Sequence, residues 1–138
     1  MKTITPEVAA IIPAHQLKIV KANLKELSEE ITALKARLEK CPDIKQTDKM
    51  KEHPAMFHYY FKETHIYICE YDRKDLMFGY TVLNGDVECS EWGYSSLSEI
   101  TSISVMQLDL YFDEQSIEAA LFHAYPKNFK IPQSLMYI

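Results

Sequence analysis

A covalent catalyst needs a nucleophile, a base within hydrogen-bond reach and a group to orient that base; Cys69, Cys89, Ser95 and five histidines are the pieces present here. None of them sits in a GxSxG elbow, a Walker loop, a GxGxxG turn or an HExxH helix, the spacings that commit such residues to acyl transfer, phosphate binding or zinc hydrolysis. For a metal, His53, His58 and His65 lie near one another, with Cys41 and Cys69 available. Their gaps of five and seven residues depart from the usual pairing of zinc ligands about two to five residues apart. A linker histidine and two strand histidines are expected, with no metal and no cofactor. Glu91, Tyr94, Ser96 and Glu99 gather two acids, a phenol and a hydroxyl where a loop enters a helix, and loops carry function more often than cores do. The local alternative is capping: Ser96 and Glu99 satisfy the free amides of a helix start, Gly93 supplies a special backbone angle and Tyr94 packs.

Charge narrows the partners. The 138 residues hold 15 Lys and Arg against 20 Asp and Glu, a balance that does not suit a protein coating phosphate backbones. Residues 1–53 carry ten basic and eight acidic side chains, and residues 54–138 carry five and twelve. His65, Tyr67, Cys69 and Tyr71 on one strand face, beside His58, Tyr60 and Lys62 on the next, could stack single-stranded bases. The acidic excess of that half opposes it. A surface containing Asp113, Glu114 and Glu118 is expected to meet a basic protein partner instead, or to imitate the phosphates of nucleic acid toward a host defence enzyme.

These residues need a scaffold, and the chain is long enough to bury one core as a single domain. All sixteen aromatic side chains lie at or beyond Phe57, which divides the domain into a helical segment with linker, 1–53, and a sheet-rich core, 54–138. Thr5-Pro6-Glu7 predicts a short helix to about Ile12. From Ala14 to about Lys40, Leu17, Val20, Leu24, Leu27, Ile31, Leu34 and Leu38 follow a 3-4 spacing that predicts one long helix. Its stripe packs either on the chain's own sheet or as the seam of a homodimer. Asp43 to His53 reads as a solvated linker. Strands are expected over Met56–Lys62, His65–Tyr71, Leu76–Leu83, from Asp86 after an Asn84-Gly85 turn, and over Val105–Phe112. Short helices are expected from Ser96 and from Asp113 or Ser116, then an extended tail. The fold class is α+β: an antiparallel sheet of four to five strands with a long N-terminal helix and two short helices on one face.

Phe78-Gly79, the run Glu91-Trp92-Gly93-Tyr94-Ser95-Ser96-Leu97-Ser98-Glu99-Ile100 and Asp109 to Phe112 together resemble the core of an uncharacterised bacterial mobile-element family, domain of unknown function 2958. That family is similar in its FG pair, its PELGYxSLSEL-like block and its ERDxxF-like strand. Thr3-Ile4-Thr5-Pro6 and Ile11-Ile12-Pro13 are similar to its N-terminus, and residues 14–50 look like an inserted helical segment. Ser90 replaces the family's proline, and Met106-Gln107-Leu108-Asp109 lacks its Glu-Arg pair, so no role of that pair carries over. The resemblance implies a setting on plasmids, phages or integrative elements and brings no activity with it. The expected function is a non-enzymatic accessory or interaction protein acting through protein contacts; the alternative is a small hydrolase or nucleic-acid-processing enzyme centred on Glu91 to Glu99. Without an apolar run that spans a bilayer or a signal-peptide core, a cytoplasmic location with reduced cysteines is expected and no membrane partner.

Overall fold

The computed structural model describes residues 3–136. Thr5 caps α1 (Pro6–Ala10) by accepting from the Val8 amide, as its place before Pro6 dictates. The predicted long helix is broken: α2 covers Ala14–Ala22 and α3 covers Ser28–Lys40, so the longest helix has 13 residues. Asn23 ends α2. Its side-chain amide donates to the Ile19 carbonyl at 2.7 Å, the local competition for backbone groups that makes Asn a poor residue inside a helix. The turn through residues 23–27 lets the two helices bend across the sheet.

The stripe residues are used within the chain. Val20, Ile31, Leu34 and Leu38 are buried in one core, and Leu17, Leu24 and Leu27 pack partly buried against it. Their partners include Phe57, Tyr59, Ile66, Ile68 and Met77 from the sheet, and the buried Tyr59 hydroxyl donates to the Ile11 carbonyl at 2.6 Å.

β2 (Phe57–Phe61), β3 (Thr64–Tyr71), β4 (Leu76–Val82), β5 (Glu91–Ser96) and β6 (Gln107–Leu108) form an antiparallel sheet in the order β5-β4-β3-β2-β6. β1 (Pro54–Ala55) and β7 (Gln115–Ser116) make a separate two-stranded sheet. Two short helices stand where capping chemistry placed them: α4 (Leu97–Ser102) behind Ser96, and α5 (Ile117–Ala124) behind Ser116. α5 does not join the N-terminal helices. It covers the opposite sheet face, where Ile117, Ala120 and Leu121 meet Tyr67, Cys69, Tyr80 and Val82, so both faces are buried in part.

Other expectations are corrected as well. The strand from Val105 to Phe112 shrinks to Gln107–Leu108. Asn84 and Gly85 do adopt φ of 52° and 73°, yet a 3-10 turn at Val87–Cys89 follows, and the return strand begins only at Glu91. Gly85→Val is expected to cost about 1–2 kcal/mol in chemical denaturation, because a β-branched side chain resists positive φ; an unchanged midpoint would show that the turn tolerates it. The tail turns back in a 3-10 turn at Gln133–Leu135 and is tied down by Ser134, whose hydroxyl donates to Glu52 at 2.6 Å.

Residues 43–49 are largely exposed, as a solvated linker would be, but they are tied to the sheet. Glu70, only 1% exposed near the end of β3, accepts hydrogen bonds from the Lys45 amide at 2.8 Å, the Thr47 amide at 3.0 Å and the Thr47 hydroxyl. A bulge between Ile68 and Glu70 turns this carboxylate toward the loop. Tyr71 consequently moves to the face opposite Tyr67 and joins the core under the N-terminal helices.

Candidate functional site

The two margins of the main sheet differ. At β6, the Gln16 side chain from α2 closes the outer edge as a strand would: its Nε2 donates to the Leu108 carbonyl at 2.8 Å, and its Oε1 accepts from the Leu108 amide at 2.7 Å. At β5, among the described residues, no further strand follows. Every second residue of an antiparallel edge strand points its N–H and C=O outward, ready to pair with another chain.

Beyond Glu91 at its start, the side chains on β5 do nothing to blunt that edge. Trp92 is 36% exposed and Tyr94 55% exposed. Both lean on Phe78 from β4, with ring centroids 5.9 Å and 5.0 Å away, so an aromatic ladder runs along the margin. A Cβ built on Gly93 would meet open space, and Gly93 is not among the residues with positive φ, so neither packing nor backbone angle demands glycine there. The special angle expected of Gly93 is absent. Between Lys74 and Lys127 the chain carries nine Asp and Glu and no Lys or Arg. Asp86, Glu88, Glu91 and Glu99 are exposed around β5. Beside Trp92 a cavity of about 530 Å³ is lined by Tyr80, Trp92 and Phe129 with Glu91, Glu118 and Lys130.

Ser96 belongs to this block structurally. Its hydroxyl donates to Asp75 Oδ2 at 2.6 Å and accepts from the Glu99 amide at 3.4 Å; Asp75 Oδ1 accepts from the Ser98 amide at 2.7 Å. The Ser96 bond, with those from Ser98, holds the Asp75 carboxyl below its ordinary range. Asp75 thus takes the reciprocal place in the cap expected of Glu99. Among the described residues no histidine hydrogen-bonds Ser95 or Ser96; the Ser96 hydroxyl is held by the Asp75 carboxylate. Burial pushes the thiols of Cys41 and Cys69 up to about 12, and the bond to Asp86 raises that of Cys89. None is an activated thiolate.

Asp113, Glu114 and Glu118 are not one docking surface. Asp113 is exposed, Glu114 pairs with Lys40 at 2.6 Å, and Glu118 turns inward. Its two oxygens take the His53 amide at 2.8 Å and face the His53 ring nitrogen Nδ1 at 2.7 Å, which sets that ring 4.5 Å from Trp92. Glu118 therefore holds the His53 ring against Trp92.

A second polar set lies on the α5 side of the sheet, near β6. Asp109 Oδ2 and His58 Nδ1 are 3.3 Å apart, and His58 Nε2 and His65 Nδ1 are 2.9 Å apart. His58 lies flat against Tyr67, with centroids 4.6 Å apart, and close to Phe112. Register explains the meeting: His58 pairs with Tyr67 and Tyr60 with His65, so the two histidines are diagonal neighbours on one face. His53 is held elsewhere by Glu118, and among the described residues no three His, Cys, Asp or Glu side chains converge as metal ligands. Among the described residues no helix is long and apolar enough to cross a membrane.

Compared with known proteins, the chain matches no family model, no curated protein and no solved structure.

Proposed function

We propose that this chain is an interaction protein that receives an extended, basic segment of a partner protein by strand addition along β5. The observation that carries this reading is the open β5 edge, aromatic and free of lysine, on a sheet whose other edge is closed by Gln16. Backbone pairing supplies affinity without regard to sequence, and the acidic surroundings favour a basic occupant. The cavity beside Trp92 offers Glu91 to a cationic side chain of the added strand. Two copies pairing β5 to β5 would set like charge against like, and a phosphate backbone would be repelled. The mobile-element setting that the resemblance implies, a host defence protein as the partner and a cytoplasmic location belong to the same proposal.

A peptide alternating lysine with valine or isoleucine, compared with its glutamate counterpart, tests it by amide NMR. The lysine peptide is expected to shift the amides of residues 91–96, to bind several-fold more weakly at high salt, and to weaken again on Glu91→Lys. Perturbation of other residues only, equal binding of the glutamate peptide, or tighter binding of an oligonucleotide at β5 would overturn the proposal.

A further inference from the structure

When both imidazoles carry a single proton, the Asp109 carboxylate sets the direction of the Asp109, His58 and His65 chain. An ionised carboxylate only accepts, so His58 Nδ1–H donates to Asp109 Oδ2. Asp109 is ionised at neutral pH: the His58 bond, the Tyr111 amide and nearby Arg37 hold its carboxyl below the usual range. A neutral His58 then presents a lone pair at Nε2, and His65 Nδ1–H donates to it. The remaining atom, His65 Nε2, is left with a free lone pair. It has no hydrogen-bond partner, and it is not among the buried polar atoms left unsatisfied, where Arg37 Nε stands alone for the described residues; it therefore reaches solvent.

We propose that His65 Nε2 is a nucleophile that accepts activated acyl groups, such as those of aryl esters and thioesters, with His58 and Asp109 positioning it and taking up its proton. The lone pair of Nε2 attacks the acyl carbon, the new N–C bond forms, and the phenolate or thiolate departs with the electron pair of the broken bond. As the ring becomes cationic, its Nδ1 proton passes to His58 Nε2. The products are a neutral acyl-imidazole and a His58 imidazolium beside Asp109, where the carboxylate stabilises the charge. Water then releases the acyl group as a carboxylate and the proton returns. This site is independent of β5, and its failure would leave the strand-addition reading untouched.

The groups facing His65 are His58 from β2, with Asp109 behind it, Tyr67 of its own strand, Glu63 from the preceding turn and Tyr125 beyond α5. Burial, followed by the neighbouring His58, lowers the His65 pKa below its ordinary 6.5 despite Glu63. The reactive form is thus present at neutral pH, and acylation is lost only as the pH falls through that lowered value.

p-Nitrophenyl acetate is the probe, read as phenolate release and by mass spectrometry of the acetylated peptide. The wild type is expected to react at least about tenfold faster than His65→Gln, with acetyl on His65 and a rate that is flat above neutrality. Asp109→Asn is the decisive variant. The Tyr111 amide donates to Oδ1 at 2.9 Å and keeps the amide oxygen of Asn on that side. The NH2 then faces His58 Nδ1, every donor in the chain reverses, and His65 Nε2 carries a proton. Its rate is expected to fall to that of His65→Gln while the melting temperature stays near that of the wild type. Equal rates in wild type and His65→Gln, acetyl on His15, His53 or His123 instead, or a folded Asp109→Asn that reacts like the wild type would overturn the proposal. Nitrogen NMR of the unmodified protein decides independently of any variant: His65 Nε2 must resonate as an unprotonated ring nitrogen at neutral pH, and a protonated signal there sinks the idea.

Discussion

Gly79→Ala is expected to leave the chain unable to hold its sheet, with a loss on the order of 4 kcal/mol or more and insoluble expression as its ordinary outcome. The reason is space. A Cβ at Gly79 would lie 1.8 Å from the Tyr67 carbonyl oxygen and 2.9 Å from the Ile68 Cα, both backbone atoms that cannot swing aside. The Ile68/Glu70 bulge lies beside the residue that Gly79 pairs with. Gly93, paired with Gly79 across the β4-β5 ladder, provides the control: its Cβ would enter open space, so Gly93→Ala is expected within about 0.5 kcal/mol of the wild type. A soluble Gly79→Ala with an unchanged urea midpoint would mean that the two strands separate more easily than their register implies.

Glu70→Ala is the second large effect. Removing this carboxylate leaves the Lys45 and Thr47 amides and the Thr47 hydroxyl without their acceptor in a place water reaches poorly. The expected cost is about 2–5 kcal/mol, because each buried donor left unpaired forfeits its desolvation. Hydrogen exchange separates this from a general loss: residues 43–49 are expected to exchange much faster than β2 and β3. If the loop kept its protection in the variant, Glu70 would not be what holds it.

Aromatic and β-branched runs located β2, β3 and β4 to within a residue or two, and hydroxyl caps located α1, α4 and α5, because those signals are made and satisfied within a few residues. Asn23 broke the long helix against an unbroken apolar spacing, since one side-chain amide outcompeted the backbone where the stripe alone gave no warning. Nothing in the sequence sets Glu70 apart from its strand neighbours; the bulge, a long-range feature, turns it inward. The candidate site was legible in part. Glu91, Tyr94, Ser96 and Glu99 do fall together around β5, but Ser96 is held by Asp75, a partner more than twenty residues away, and Glu118 is drawn off to His53. The pairing of His58 with His65 was within reach once the hairpin register was fixed, whereas Asp109 comes from the end of the neighbouring β6, distant along the chain, and has no local signature.

The Gln16 amide on Leu108 has a consequence for valence. A sheet with two bare margins is bifunctional and can polymerise without limit, each added unit exposing a new site for the next. With β6 capped from within, this sheet is monofunctional. A union through β5 with a second copy, itself capped at β6, consumes the free margins of both main sheets, so pairing of these sheets between copies gives closed pairs.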